Sequence, residues 1–297
     1  MKRLLDGALL GAGFVAVVAV AFAIAWAGDV FTVDKDGIPK FAVSDAGKIT
    51  VGATESYVNL VIQNNSGAAT NKVDITADVL TVERIRLESV NVSADITAAG
   101  AGGLDTGGED SNMWYYVWVI ANDSGTSVNG LLTEAGTASE FAPVMPAGFA
   151  KKRRVGAVRN NGSGNFLQFV QEGNFCNYLA GAGGGNRILS AGTATGWTTI
   201  SATSFMPPTS RRGLFRLSGS VKHGTVNTVF NITLGQSPSP GTALAMGLRN
   251  NDTTYLWMAD IVGPCPTNAG QQVAYQIANT PDIGGAYVDV IGYYDRI

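Results

Sequence analysis

Apolar and polar residues alternate along the second half of the chain in short stretches. In LFRLSGSV (214–221), Phe215, Leu217 and Val221 share one face, and in VFNITL (229–234), Phe230, Ile232 and Leu234 do the same. A period of two is typical of strands that are half-buried in a sheet. With the similar stretches WTTISA, ALAMGL, TYLWMADIV, QQVAYQIA and AYVDVIGYY, the pattern predicts about eight strands within residues 186–297. Such a set suits a jelly roll or a related β-sandwich.

The first half has the same character. The stretches SYVNLVIQ, VLTVERIRLESVNVSADI and MWYYVWVI predict strands, and the last is apolar enough to be covered on both faces. Asn129-Gly130 and residues 160–164 have the chemistry of tight turns, and the second turn is expected to join VGAVR and NFLQFVQ in one hairpin. We therefore predict a first β-sandwich domain at 71–178. A Gly-rich connector follows at 180–185, and it lacks the Lys-Ser/Thr of a phosphate loop.

Composition supports strands over helices. The chain has 297 residues and 38 glycines, with many Thr, Ser, Asn, Val and Ala, whereas good helix formers are sparse. The predicted fold class is all-β, with an N-terminal apolar helix, a short β stalk and two antiparallel β-sandwich, jelly-roll-like domains.

A short repeat defines the expected stalk at 29–70. FTVDKDGIPK is followed directly by FAVSDAGKIT, with Phe, Val and Gly at matching offsets. A ten-residue unit cannot bury its own apolar side, so such repeats require stacking or partner chains. A single ordinary hairpin is the alternative interpretation. Asp34 to Gly37 resembles half of a calcium loop, but the later ligands are missing, so a turn is expected there.

The N-terminal segment, residues 1–28, admits three interpretations. Gly7 to Gly28 carries no charge. Lys2, Arg3 and the Ala25-Trp26-Ala27 pattern favour a signal peptide that is removed before Gly28, whereas the length permits a membrane anchor at 7–28. Small residues at four-residue steps, beginning with Gly7 and Gly11, favour a retained helix that packs against copies of itself.

Charge and metal-binding residue types exclude several functions. A net charge of −3, with 14% charged residues, gives no footprint for nucleic acid. The two cysteines, Cys176 and Cys265, have no metal-ligand spacing, and the single histidine, His223, lies in a strand-like run where a structural role is the usual one. No metal, cofactor or cofactor-binding residue is expected.

Catalytic residues are not expected either. Neither G-x-S-x-G nor H-E-x-x-H occurs, and His223 has no nucleophile motif beside it. Asp105, Glu109 and Asp110 supply carboxylates of the kind that glycosidases use, but they lie in a Gly-rich loop where solvated turn residues are normal. We predict that the protein is not an enzyme.

Other stretches are candidates for surface recognition. Residues 151–154 (KKRR) form the densest basic run, which suits either an acidic surface or a solvated strand start. Alternation within an apolar strand favours core packing for the aromatic side chains of 114–118, although such rings also stack on sugars. No receptor-binding residue is assigned, and the loops 122–130 and 160–165 are candidates because loops commonly carry recognition. The aromatic residues concerned are Trp114, Tyr115, Tyr116 and Trp118.

Several phrases, in order, resemble the tail fibre or tail-associated virion proteins of tailed bacteriophages. The resemblance covers roughly residues 75–297, and the FTVDKDG repeat fits the stalks of such fibres. The phrases are GLDTG (103–107), WYYVWVI (114–120), KRRVGAVRNNGSGNFLQF (152–169), MPPTSRRGLFRL (206–217) and YVDVIGYYD (287–295).

The resemblance implies a homotrimeric virion structural protein of the phage tail. It would attach to other virion proteins through its N-terminus and present its β domains to a host cell-surface glycan or protein, or to neighbouring virion proteins during assembly. A capsid-attached head fibre is a further alternative. The apolar N-terminus departs from such fibres and favours a different class: a secreted or membrane-anchored bacterial surface β-sandwich of the cell envelope, with a carbohydrate as ligand. This second hypothesis predicts a mature chain starting at Gly28 and a Cys176–Cys265 bridge.

Overall fold

Every regular element in the described part of the chain is a β-strand. The computed structural model describes residues 56–297, apart from 136–141, 180–184 and 239–240, and the backbone of three strands before residue 56. The all-β class predicted from sequence is therefore confirmed, whereas the apolar helix expected at 1–28 lies outside the described residues. Among the residues that are described, no helix is long and apolar enough to cross a membrane.

The three strands before residue 56 form a small sheet of their own. They are β1 (Phe31–Lys35), β2 (Ile38–Val43) and β3 (Ile49–Val51). β1 pairs with β2, and β2 with β3, in antiparallel fashion. Both copies of the sequence repeat therefore contribute strands to one meander.

The first half continues with nine strands in two sheets. β10, β8 and β9 form a three-stranded sheet in that order, and β12-β11-β5-β6 forms the other, with β4 and β7 both paired to β6. These strands are β4 (Tyr57–Val58), β5 (Val61–Asn64), β6 (Lys72–Val82), β7 (Ile85–Asp95), β8 (Trp114–Ala121), β9 (Val128–Glu134), β10 (Lys151–Arg159), β11 (Phe169–Glu172) and β12 (Phe175–Tyr178). β4 and β5 thus share a sheet with β6, although the sequence analysis assigns them to the stalk.

The described residues of the second half form eight strands, of which four make a sheet of their own and four belong to a larger sheet shared with the first half. The orders are β13-β20-β15-β18 and β14-β19-β16-β17, which is the connectivity of a jelly roll. The strands are β13 (Arg187–Gly192), β14 (Thr198–Ser201), β15 (Arg212–Lys222), β16 (Val229–Gln236), β17 (Thr242–Arg249), β18 (Trp257–Pro266), β19 (Gln272–Ile277) and β20 (Ile283–Tyr294).

The alternation seen in the sequence determines what this second sandwich buries. Phe215, Leu217 and Val221 on β15 are fully buried. Phe230, Ile232 and Leu234 on β16 are also fully buried, and both sets belong to one core cluster. Fully burying a side chain of this size contributes about 1.5–3 kcal/mol, so these two strands supply much of the core energy.

Gly219 shows how tightly the two sheets approach. A Cβ added there would lie 2.3 Å from Leu248 and 2.7 Å from Ile232 on the facing sheet. Real Cβ atoms do not come this close to other heavy atoms, so any larger residue in the middle of β15 would force the ends of Leu248 and Ile232 to shift.

The two halves share one continuous sheet. β12 pairs with β20, so a ten-stranded sheet runs from the first half into the second. Tyr293 donates a hydrogen bond to the Ala157 carbonyl (2.9 Å), and Arg154 forms an ion pair with Asp295 (2.6 Å). Burial raises the pKa of Tyr293 well above its usual value, so this donor stays protonated. The sequence analysis expects a division between domains at 179–185. The strand just before it, β12, pairs with β20 of the second half, so the two halves are hydrogen-bonded to each other.

One local prediction about turns is wrong, and a second holds for the turn but not for the strands beside it. Asn129 and Gly130 lie inside β9, where a Cβ on Gly130 would meet the Ser93 carbonyl at 2.6 Å. The turn at 160–164 forms, since Asn160 bridges Phe166 and the Leu167 N–H donates to the Arg159 carbonyl (2.8 Å). The flanking strands then separate, because β10 pairs with β8, whereas β11 pairs with β5 and β12, so VGAVR and NFLQFVQ do not form one long hairpin. Pairing with distant strands overrides the local turn chemistry only at Asn129-Gly130.

The two cysteines are free and buried. Cys265 pairs with Gly213, Gly213 with Tyr293, and Tyr293 with Cys176, so the two thiols lie on strands separated by two others. Three inter-strand steps of about 4.8 Å give roughly 14 Å, whereas a disulfide requires Cα atoms within about 7 Å. The bridge expected for a secreted protein does not form in this fold. Burial raises the pKa of each thiol to about 12.

The β6–β7 hairpin has a strained turn and provides a test of the fold. Val82 pairs with Ile85, and the two residues between them, Glu83 and Arg84, have φ of 42° and 77°. Two-residue turns with two positive φ values favour Asn-Gly. We expect the double change E83N/R84G to raise the free energy of unfolding by about 1–2 kcal/mol, because it relieves two left-handed conformations.

Urea denaturation would measure this gain. R86G is the matched control, because Arg86 lies inside β7 and glycine weakens a strand interior. If E83N/R84G destabilised the protein as R86G is expected to do, the turn would not have this geometry.

Candidate binding site at the free end of the second sandwich

The loops of the second sandwich lie at two opposite ends. Residues 202–211 and 267–271 connect strands at one end, and 193–197, 223–228, 250–256 and 278–282 connect them at the other. The first end is joined to the first half of the chain. Trp114 donates its indole N–H to the Thr203 carbonyl (2.8 Å), and Tyr178 donates to the Phe205 carbonyl (2.9 Å). We call the opposite end the free end.

Hydrogen bonds hold the loops of the free end together. Asn250 is fully buried, and its amide donates to the carbonyls of His223 (2.9 Å) and Thr225 (3.0 Å). The Gly224 N–H donates to the Asp282 carboxylate (2.6 Å), which links the loop 223–228 to the loop 278–282 as well. His223 accepts the Thr225 N–H at Nδ1 (3.0 Å), so the single histidine has a structural role as expected. The loops form a preorganised surface.

Large apolar side chains are concentrated at this end. Tyr255 has 69% of its surface exposed, and four other apolar residues of the same loops and adjacent strand ends are also exposed. They lie at the same end of the sandwich but in both of its sheets, because Val229 pairs with Arg249 in one sheet and Ile283 pairs with Lys222 in the other. We name this set the apolar corner: Val226, Val229, Tyr255, Leu256 and Ile283.

The charges around the apolar corner are balanced. Lys222 and Arg249 provide two positive charges, and Asp252 and Asp282 provide two negative ones. The Thr254 N–H donates to the Asp252 carboxylate and lowers the pKa of that group. An exposed apolar patch within a polar rim is typical of a binding surface. The balanced rim offers no net attraction to an anionic ligand or membrane.

Two of the three carboxylates considered for catalysis, those of Asp105 and Glu109, have structural roles in their loop. Asp105 accepts the N–H groups of Thr106 (2.8 Å) and Val144 (2.9 Å), and Glu109 accepts the Asn160 amide (2.9 Å). The Asp110 carbonyl accepts from the same amide (2.7 Å). Within the part of the chain that the structure describes, no group of three His, Cys, Asp or Glu side chains is placed to hold a metal.

The aromatic strand 114–118 lies in the core. Trp114, Tyr115 and Tyr116 are buried, and Trp118 is half-buried. Tyr115 also donates to the Asp110 carbonyl (3.0 Å). These rings therefore do not form an open sugar-stacking surface, and core packing is confirmed for them.

The basic run 151–154 begins β10 with two partly exposed lysines, but it is not one open cationic patch, because both of its arginines bond within the protein. Arg153 is buried, donates to the Ser56 (2.9 Å) and Thr81 (3.0 Å) carbonyls, and lies above the ring of Tyr57. Arg154 pairs with Asp295, whose side chain is fully buried. Arg153 and Arg154 are consecutive in β10 and point to opposite faces of the strand. Each of them stabilises a contact with a segment that is distant in the sequence.

The two recognition loops predicted from sequence lie in the first half, away from the apolar corner. Residues 122–127 lie beside β7, where Gly125 approaches Ile85, and they border an open groove of about 610 Å³. In 160–165, Asn161 accepts the N–H groups of Ser163 (2.9 Å) and Asn165 (3.1 Å). A role for either loop in receptor binding stays a prediction.

The apolar corner escaped sequence analysis because its members are spread from residue 226 to residue 283. The stretch TYLWMADIV predicted a strand that includes Tyr255 and Leu256. In the structure β18 begins only at Trp257, and these two residues lie in the loop before it. A usable signal was the polar run NNDTT directly before two large apolar residues.

No family model and no curated protein matches this chain. Among solved structures, the chain is similar to an exo-β-1,3-galactanase from Phanerochaete chrysosporium with galactose, at 15% identity and a TM-score of 0.20, over 90% of this chain and 68% of that one. It is also similar to SGBP-B from a xyloglucan utilization locus in Bacteroides uniformis, at 11% identity and a TM-score of 0.18, over 90% and 85%. Scores this low do not transfer a function.

The Arg154–Asp295 pair gives a test of the connection between the halves. We expect R154A to lower the free energy of unfolding by about 3 kcal/mol, because it leaves the buried Asp295 carboxylate without its cation. K151A is the matched control from the same basic run, since Lys151 pairs with the exposed Asp123 at 3.5 Å. The control should cost about 0.5 kcal/mol or less. Equal losses in denaturant titrations would contradict the structural role assigned to Arg154.

Proposed function

We propose that this protein is a non-catalytic adhesion protein that contacts a cell surface through the free end of its second sandwich. The apolar corner is the observation that carries the proposal. Its side chains are exposed, its loops are held by hydrogen bonds, and the opposite end of the sandwich is joined to the rest of the chain. A preordered surface loses little entropy on binding, so even a small patch suffices when many copies act together.

The setting that we propose is a phage fibre or spike. The motivation is the resemblance of residues 75–297 to tail-associated virion proteins, together with the strands formed by the stalk repeat. In this setting residues 1–28 attach a homotrimer to other virion proteins of the tail, with the head as the alternative place of attachment. We expect mass spectrometry of purified particles to detect the protein with a peptide that begins at Met1. A chain that is absent from particles and begins at Gly28 would contradict this setting.

The second candidate is a secreted or membrane-anchored bacterial surface protein that binds carbohydrate. The specific observation in its favour is the chemistry of the apolar corner, where an exposed Tyr255 ring lies in the same loop as the amide of Asn251. Rings stack on the apolar faces of sugars, and amides bind their hydroxyl groups. The bridge between Cys176 and Cys265, which this hypothesis predicted, is not formed.

The double variant Y255A/L256S tests the adhesion site. We expect it to weaken binding of the full chain to whole bacterial cells, purified lipopolysaccharide or capsular polysaccharide by at least about tenfold, which corresponds to about 1.4 kcal/mol. The reason is the loss of the largest apolar contact area at the free end. Binding of the labelled protein to cells and to an array of these polysaccharides is the measurement.

V144S is the matched control, because Val144 is exposed to a similar degree (59%) but belongs to the first half of the chain. It should bind as the unchanged protein does. Adhesion that survives Y255A/L256S would remove the apolar corner from the proposal, and absence of any binding to cells or polysaccharides would remove the adhesion function itself.

A further inference from the structure

One edge strand of the second sandwich carries an exposed row of apolar side chains. β18 (Trp257–Pro266) pairs with β15 on one side and is the last strand in its sheet. Met258 and Val262 point away from the core and have 75% and 52% of their surface exposed. The outward positions of β18, which we name the β18 row, are Met258, Asp260, Val262, Pro264 and Pro266. Exposed apolar edge strands are sites of association with another chain.

The β18 row is self-complementary about Asp260. Met258 and Val262 lie two residues to either side, at about 7 Å each. If two copies of the strand run antiparallel with Asp260 opposite Asp260, Met258 of each copy meets Val262 of the other. Every apolar position then faces an apolar position, which is the condition for an isologous two-fold contact.

The charge at the centre is compatible with this arrangement. Arg216 on β15 forms an ion pair with Asp260 at 3.1 Å, so each copy brings a neutral pair to the two-fold axis. Two Arg216–Asp260 pairs side by side place each carboxylate near two guanidinium groups. A different partner would have to match both the apolar order and this central pair, whereas a second copy matches them by symmetry.

The prolines limit how far such pairing extends. Pro264 and Pro266 have no N–H, and proline in a sheet edge occurs where that position faces solvent. Pairing along the β18 row is therefore restricted to the symmetric window Met258 to Val262. This restriction favours a single pairing register and disfavours the non-specific addition of other strands at this edge.

We propose that the protein self-associates through the β18 row of two copies, paired antiparallel about a two-fold axis at Asp260. The contact is independent of what the apolar corner binds. It joins second sandwiches side by side and leaves the free end of each one open.

A variant with one added surface cysteine tests this geometry. In the proposed pairing, the Cα atoms of the two Asp260 residues lie about 4.5–5.5 Å apart, which is within disulfide range. We expect D260C in the full chain to form a covalent dimer under mild oxidation, seen on non-reducing gels. The native Cys176 and Cys265 are buried and do not compete. V144C, at a similarly exposed position, is the control and should remain uncrosslinked.

A second variant separates failed crosslinking from failed association. M258D/V262D should abolish the concentration-dependent doubling of the particle mass in sedimentation velocity, whether the unit that doubles is the single chain or the proposed homotrimer, whereas V144D should leave it unchanged. A mass that does not double at any concentration would overturn the proposal. So would doubling that is insensitive to M258D/V262D, or crosslinking of D260C no faster than that of V144C.

Discussion

The pairing of β20 with three other strands is the constraint on which the rest of the structure depends. β20 pairs with β15 and β13 in the second sandwich and with β12 of the first half. Its end also supplies Tyr293, which bonds to the Ala157 carbonyl, and leads into Asp295, which pairs with Arg154. Because these contacts converge on one strand, the two sandwiches have one shared sheet, and one end of the second sandwich is committed to the first.

This arrangement determines where the protein can bind. The loops at 202–211 contact the first half through Thr203 and Phe205, so the accessible loops are those at the opposite end. Hydrogen bonds of the buried Asn250 and of Asp282 hold these loops. Tyr255 and Leu256 are therefore exposed on a loop whose backbone is ordered. Apolar side chains that would aggregate on a flexible loop become a defined surface when the backbone beneath them is hydrogen-bonded.

The basic run shows why burial must be known before a charge is assigned a function. Four consecutive cations at 151–154 indicate an exposed strand start or an anion-binding patch by composition alone. In the fold, Arg153 binds two backbone carbonyls and Arg154 binds a carboxylate 141 positions away. Nothing within the run itself distinguishes these arginines from Lys151, which pairs with the exposed Asp123.

The all-β class and the inward positions of β15 and β16 were predictable from the amino-acid sequence, because alternation along a strand is a local property of the chain. The apolar run around Trp114, Tyr115 and Tyr116 also predicted their core role. Three features required the folded structure: β10 and β11 belong to different sheets, Cys176 and Cys265 are three strand spacings apart, and exposed apolar residues between 226 and 283 lie at one end of the second sandwich. The physical reason is that strand partners are chosen by packing and hydrogen bonding between segments far apart in the chain, and local patterns contain no record of that choice.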